Sequence, residues 1–323
     1  YERLVQSLGG VSGFDFYIGL LAILLVLEAA RRAVGLPITI IAGVFLVYGV
    51  FGDFFPGFLA HRGQSIENLT HLMFYTTDGI LGTPLSVSAT YIFVFILFAA
   101  FLVKTGVGQY FNDLAVAVAG KLIGGPAKVA IFSSALQGTI SGSSVANVVT
   151  SGSYTIPMMK KLGYKKEFAG AVEASASTGG QLMPPIMGAA AFLMVEFIGR
   201  GITYWEIAKA AAIPALLYFT GIWIMTHFEA KRLGLRGLSD EEMPNRKEVL
   251  KKIYLLIPIL LIIVLMLTGT PVMKAALYGV LACILVGMFN KDTRLGPIDI
   301  IDALVDGART ALGVVAATAC AGI

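Results

Sequence analysis

Residues 135–157 read ALQGTISGSSVANVVTSGSYTIP, and where this stretch lies decides the fold. From Gly138 to Ser153, ten of sixteen residues are Gly, Ser or Thr, and none is charged. The segment is too small and polar for a lipid-facing helix. With Val145, Ala146, Val148 and Val149 it is also too apolar for a solvated loop.

The rest of the chain sets its surroundings. Of 323 residues, 57% are hydrophobic and 14% charged, with mean hydropathy +0.81. A soluble domain carries about 25% charged residues, so lipid is the expected solvent. Apolar runs near the roughly 20 residues a span requires occur at 14–30, 36–52, 90–103, 205–227, 253–268 and 272–289. The pattern predicts an all-α polytopic membrane protein; a β-barrel would alternate polar and apolar residues in short strands. The net charge of +4 resides in short hydrophilic connections, which membrane topology alone requires, and does not point to nucleic acid. Cys283 and Cys320 both sit in apolar runs and read as packing residues. The chain opens on Tyr1 rather than Met and stops in the apolar run GVVAATACAGI, so a piece of a longer protein is expected.

Basic residues orient the spans. Lys231, Arg232, Arg236, Arg246, Lys247, Lys251 and Lys252 make the 228–252 connection cytoplasmic. Arg31 and Arg32 after the first span, and Lys291 and Arg294 after the sixth, mark further cytoplasmic ends. Residues 135–157 are preceded by Lys121 and Lys128 and followed by Lys160, Lys161, Lys165 and Lys166, so the segment enters and leaves on one side. Two short apolar arms, 127–136 and 145–159, then form a re-entrant helical hairpin. Backbone at such a tip is tolerated only where protein, water or an ion satisfies it. Gly142 allows the turn, while Ser141, Ser143, Ser144 and Asn147 offer oxygens for capping or for a hard cation. Close helix packing is the rival reading, because Gly138–Gly142 spells GxxxG.

A second irregular element follows. Ser177-Thr-Gly-Gly-Gln-Leu-Met-Pro-Pro-Ile-Met-Gly188 places two glycines and two prolines where a helix cannot continue. Two half-helices with an unwound centre are expected, an arrangement that presents helix ends and carbonyls to ions and substrates in secondary transporters. A simple proline kink is the plainer alternative. Glu173 is expected within a turn or two of the cytoplasmic face, paired with Lys165 or Lys166, and Glu28 in an interfacial cluster with Arg31 and Arg32. His61, His71 and His227 are scattered, without metal-ligand spacing.

An internal echo has the antiparallel sense of an inverted repeat. Ile66-Glu-Asn-Leu-Thr-His-Leu is followed by Asp78-Gly79 and Ala89-Thr90, and Ile298-Asp-Ile-Ile-Asp-Ala-Leu by Asp306-Gly307 and Ala317-Thr318.

The stretches GTISGSSVANVVTSG, IPMMKKLGY, FAGAVEASASTGGQLMPPIMGAAAF and HFEAKRLGLRGL resemble the large membrane subunit of the tripartite ATP-independent periplasmic (TRAP) transporters. The likeness is closest to the fused-permease branch that works with TAXI-type binding proteins, and it runs from about Asp15 to the end. It implies sodium-driven uptake of an organic anion delivered by a periplasmic binding protein, through an inverted-repeat elevator in the prokaryotic inner membrane. It implies no cofactor beyond coupling sodium ions, and a small-subunit region fused upstream. In that family a sodium site lies between the first hairpin tip and a broken helix. Ser141, Gly142, Ser143, Ser144 and Asn147 match the tip here, and Thr178, Gly179, Gly180, Gln181, Pro184 and Pro185 the unwound segment.

The resulting division places scaffold helices in 1–60 and an arm helix with its span in 61–104. The hairpin and broken helix fall in 105–200, further scaffold helices and the basic loop in 201–296, and the start of a truncated second repeat in 297–323. Hard oxygen ligands suit sodium rather than a transition metal, and no GxxxxGK[ST] stretch for ATP is present. Competing functions are a symporter independent of any binding protein, a channel, and an intramembrane serine protease built on Ser141. The last would need a histidine within reach.

Overall fold

The computed structural model describes residues 13–198, 201–289 and 294–323, and every regular element among them is helical. Lys291 and Tyr1 lie outside the described residues. Two compact units emerge, one made of residues up to Phe93 together with Ala308–Ile323, the other of Val94–Gly307.

In the first unit, α1 (Gly13–Ala33) ends on Arg31 and Arg32, where cations complement the helix C-terminus. Both arginines bond Glu28, at 2.7 Å each, which bears out the clustering of these three side chains. Helix α2 (Leu36–Val50) is 15 residues long, shorter than its apolar run, because the chain turns at Phe51 into a 3₁₀ segment, Gly52–Phe54. Helix α3 (Ile66–Tyr75) is capped by Ser65, whose hydroxyl accepts from the Asn68 amide at 3.2 Å. Ile23, Met73, Ile80 and Ala319 form its core.

A helical stretch, α4 (Thr83–Lys104), runs on through a π-helical segment at Ser88–Ile92. In the second unit follow α5 (Val107–Ala119), α6 (Gly125–Ser141), α7 (Ser144–Leu162), α8 (Lys166–Gly179), α9 (Ala189–Ile198) and α10 (Tyr204–Arg232). Then come α11 (Arg246–Lys251), α12 (Ile257–Leu267), α13 (Val272–Phe289) and α14 (Pro297–Ala321). Helices α6, α7 and α8 pack on one another, α5 lies against α6, and α10 contacts α6, α8 and α9. Alanines make this possible: Ala127, Ala130, Ala169, Ala176 and Ala230 are all buried in one cluster, and small side chains let helices approach closely where hydrophobic exclusion from water is absent.

Among the described residues, four helices are long and apolar enough to cross a membrane: Gly13–Ala33, Thr83–Lys104, Tyr204–Arg232 and Val272–Phe289. Their outer faces carry exposed apolar residues such as Leu21, Leu217 and Leu285, as lipid-facing helices must. The run at 253–268 differs from a single straight span. Its α-helix starts at Ile257, after a 3₁₀ turn at Ile253–Leu256, and bends by 68° from the charged segment before it. Cys283 and Cys320 are buried free thiols.

The sequence echo does not carry into local structure. Asp78-Gly79 lies in an irregular turn after α3, where a Cβ on Gly79 would strike the Met73 backbone, whereas Asp306-Gly307 sits inside α14. The reason is chemical. Residues 76–82 carry Gly79 and Gly82, which disfavour a helix, and Pro84 fits only the first turn of the helix that follows, while 303–321 are rich in alanine and lack proline.

Candidate functional site

The opening stretch forms a helical hairpin. Helix α6 ends at Ser141, Gly142 takes a left-handed conformation at φ 57°, and Ser143 caps α7 by accepting from the Ala146 amide at 3.3 Å. A non-glycine residue at that φ is strained, so the turn falls where the only residue free of that strain stands. The arms are longer than their apolar runs, because Gly138–Ser141 and Lys160–Leu162 remain helical. Their antiparallel pairing shows in contacts across the tip: Asn147 Nδ2 donates to the Ser134 carbonyl at 2.9 Å, and the Ser134 and Ser151 hydroxyls lie 3.2 Å apart.

Opposite the tip, α8 stops at Gly179. Amides of Gly180, Gln181 and Leu182 bond back three residues each, at 3.0–3.1 Å, and helical geometry returns only at Ala189. Between them lie a cis Pro184–Pro185 bond and Met187 at φ 48°. Residues 180–188 are therefore a true break rather than a kink: the prolines lack amide donors.

The two irregular segments meet. Gln181 Nε2 donates to Ser144 Oγ at 3.2 Å. A Cβ on Gly138 would collide with Gly180, and one on Gly142 with the Met187 carbonyl. Asn147 lies beside Gly180 and is only 1% exposed. The structure thus gathers Gly142, Ser144, Asn147, Gly180 and Gln181. Other expected residues face elsewhere. The Thr178 hydroxyl donates to its own helix at Ala174, 2.8 Å away, and Gly179 lies against Tyr218 and Phe219. The Pro185 carbonyl accepts from Tyr204 at 2.9 Å, and Pro184 lies beside it across the cis bond. Ser141 and Ser143 serve the turn itself, the Ser143 amide donating to Ser141 Oγ at 3.4 Å.

One atom at this junction stands out. With Asn147 Nδ2 committed to Ser134, Asn147 Oδ1 is buried and has no hydrogen-bond partner. An unsatisfied buried acceptor costs about 1–3 kcal/mol. A donor or a hard cation would relieve it, and an amide oxygen is a ligand of the class that takes sodium, magnesium or calcium rather than soft metals. Gln137 Oε1 is likewise unpartnered, next to a bond from Gln137 Nε2 to Asn112 Oδ1 at 3.1 Å. Among the described residues, no group of three His, Cys, Asp or Glu comes together.

Glu173 is placed differently from the expectation. It is fully buried and meets neither Lys165 nor Lys166, the latter lying 3.8 Å from Glu167 instead. Its carboxylate accepts from the hydroxyls of Ser134, Ser151, Thr155 and Ser177. Nearness along the chain to Lys165 and Lys166 misses this, because three of the four donors come from other helices. The i, i+4 spacings Ser151/Thr155 and Glu173/Ser177 were the available signal. His227 does not stand free at a helix end: Lys128 Nζ lies 3.0 Å from its Nδ1 and 5.3 Å from the Trp223 ring centroid.

Comparison with known proteins gives the setting. Residues 21–323 match the family described as "Tripartite ATP-independent periplasmic transporter, DctM component". Among similar proteins is the C4-dicarboxylate TRAP transporter large permease protein DctM of Vibrio cholerae, 27% identical over 285 residues, covering 85% of this chain and 57% of that protein. The sialic acid permease SiaM of the same organism is 28% identical over 216 residues, 66% of this chain and 50% of SiaM. The isethionate permease DctMQ of Oleidesulfovibrio alaskensis is 25% identical over 307 residues, 93% of this chain and 44% of that protein. The chain spans about half the length of the curated relatives it matches.

Proposed function

The chain belongs to the DctM component family of the tripartite ATP-independent periplasmic transporters, and on that premise we propose that it is membrane permease of a sodium-coupled importer of an organic acid anion. The anion is handed over by a periplasmic substrate-binding protein of the TAXI type, and the hairpin with its broken-helix partner carries one sodium ion as cargo. The observation that carries this reading is the buried Asn147 side chain where the hairpin tip meets the unwound segment, its Nδ2 beside Gly180 and its Oδ1 without a hydrogen-bond partner. Two helix N-termini, at Ser144 and Ala189, begin at the same junction, and such ends favour anions. The relatives' names specify a C4-dicarboxylate, sialic acid and isethionate, all organic acids, which supports that substrate class here.

Uptake of labelled organic acids by the full-length permease in liposomes tests the proposal. With binding protein outside and an inward sodium gradient, accumulation is expected, and Asn147→Ala should lower the apparent sodium affinity about tenfold or more while insertion persists. Sodium-driven uptake without any binding protein would instead make the protein a self-sufficient symporter. Flux that neither saturates nor reverses with the sodium gradient would make it a channel. Unchanged sodium activation in Asn147→Ala would remove the site from this junction.

A further inference from the structure

Glu173 and Lys128 are the buried charged side chains among the described residues, and they are handled differently. Lys128 has a histidine and an indole ring as neighbours. Glu173 has hydroxyls, and no cation lies within ion-pair distance of it among the described residues. A carboxylate so placed is costly inside a membrane protein, and such residues serve function by default.

The hydroxyls around it lead to Asn147. On α6, the Ser134 hydroxyl donates to Glu173 Oε1 at 3.4 Å while the Ser134 carbonyl accepts from Asn147 Nδ2 at 2.9 Å. On α7, the Ser151 hydroxyl reaches both Glu173 Oε1 and the Asn147 carbonyl, the latter at 2.8 Å. Thr155 closes on Oε2, and Ser177 reaches Oε1 at 3.0 Å from the carboxylate's own helix. The Asn147 side-chain nitrogen is thus held by the carbonyl of a serine whose hydroxyl Glu173 takes, and the Ser151 hydroxyl, with its one proton, stands between Glu173 and the Asn147 main-chain oxygen.

We infer that Glu173 is a positioning residue for Asn147. Its oxygens accept, drawing hydroxyls from all three helices, and so it joins α6, α7 and α8 about two turns below the tip. Ser134 is thereby fixed to take the Asn147 NH₂ group, and Oδ1 is left open to a cation. The inference rests on the reading that Asn147 binds sodium. Partners that orient a metal ligand typically change affinity 10–100-fold when removed.

The test uses the full-length protein, purified, with two measurements: sodium-dependent thermal stabilisation without substrate, and sodium activation of uptake in liposomes. In Glu173→Gln an amide donor replaces one acceptor oxygen. The expected result is a sodium half-saturation raised about tenfold in both measurements, with uptake at saturating sodium within a few-fold of the unsubstituted protein. A merely structural role would lower the yield of folded protein and the maximal rate but leave the half-saturation in place; that result would overturn the inference. If Glu173→Gln fails to insert, Ser134→Ala removes the hydroxyl that Glu173 holds while keeping the carbonyl that takes Asn147; it should raise the sodium half-saturation in the same sense, and an unchanged curve there overturns the inference equally. Absence of any sodium effect in the unsubstituted protein would sink the sodium reading and this inference together, whereas a normal curve in the unsubstituted protein and both variants sinks only the latter.

Discussion

Gly142 sits at φ 57° with the Met187 carbonyl directly where a Cβ would stand. Replacement therefore costs the left-handed penalty of about 1–2 kcal/mol and displaces the unwound segment as well. Ser143, next to it, contributes a helix cap worth about 1 kcal/mol. Gly142→Leu is expected to abolish sodium-dependent uptake with protein still in the membrane, while Ser143→Ala lowers thermal stability slightly and keeps transport. Liposome uptake and thermal unfolding of the two variants decide it; equal losses in both would mean that the tip is only a turn. At this scale the sequence was legible wherever the main chain sets the constraint. Gly142 and the proline pair act through backbone geometry that no neighbour alters, and each marks an irregularity in the structure. Glu173 was illegible because its surroundings depend on Ser134, Ser151 and Thr155, which only the packing of three helices brings to it.

Among the elements, the connection between α10 and α11 does more than link spans. The Leu238 amide donates to the Gly120 carbonyl at 2.8 Å, Asp240 pairs with Lys121, and Glu242 pairs with Lys161 at 2.7 Å. The strap therefore ties down both the α5–α6 turn and the far end of α7. Hydrogen bonding to Lys121 holds the Asp240 carboxyl below its ordinary value; Glu242 is held down first by Lys161 and then by the Ser239 amide. Carboxyls lowered in the folded state add stability that is complete above their unfolded values and is lost as pH falls through the folded ones. Amide protection in 234–245, taken relative to the intrinsic exchange rate at each pH, should accordingly fall on acidification below the usual carboxylate range, and Asp240→Asn with Glu242→Gln should lower it at every pH. Both pairs are solvent-exposed, so added salt should speed exchange at neutral pH too. A strap insensitive to both treatments would show that its backbone bond alone holds it. Charge placed this connection outside the membrane in the sequence, but its partners Lys121 and Lys161 lie far along the chain and could not be read there.

For the whole molecule, the elevator expected from the sequence resemblance is a proposal that needs a moving part and a stationary one. Cysteine pairs placed between the hairpin and residues 36–52 should form different cross-links with and without sodium and substrate; one fixed set under all conditions would exclude an elevator. The hydropathy pattern gave the all-helical membrane class directly, since lipid permits little else. It missed the shortening of α2 and the bend before α12, because chain breaks at Phe51 and Leu256 follow from local turns rather than from composition.

The meeting of Gly138 with Gly180 has a mechanical side. There, peptide touches peptide with no side chain between. Such a seam has no rotamer to flip and nothing flexible to stretch; parting it would open a void that no side chain could fill. In the transporter proposed above, the hairpin and the segment beside it would therefore move as one solid piece, and cargo would pass along a different seam.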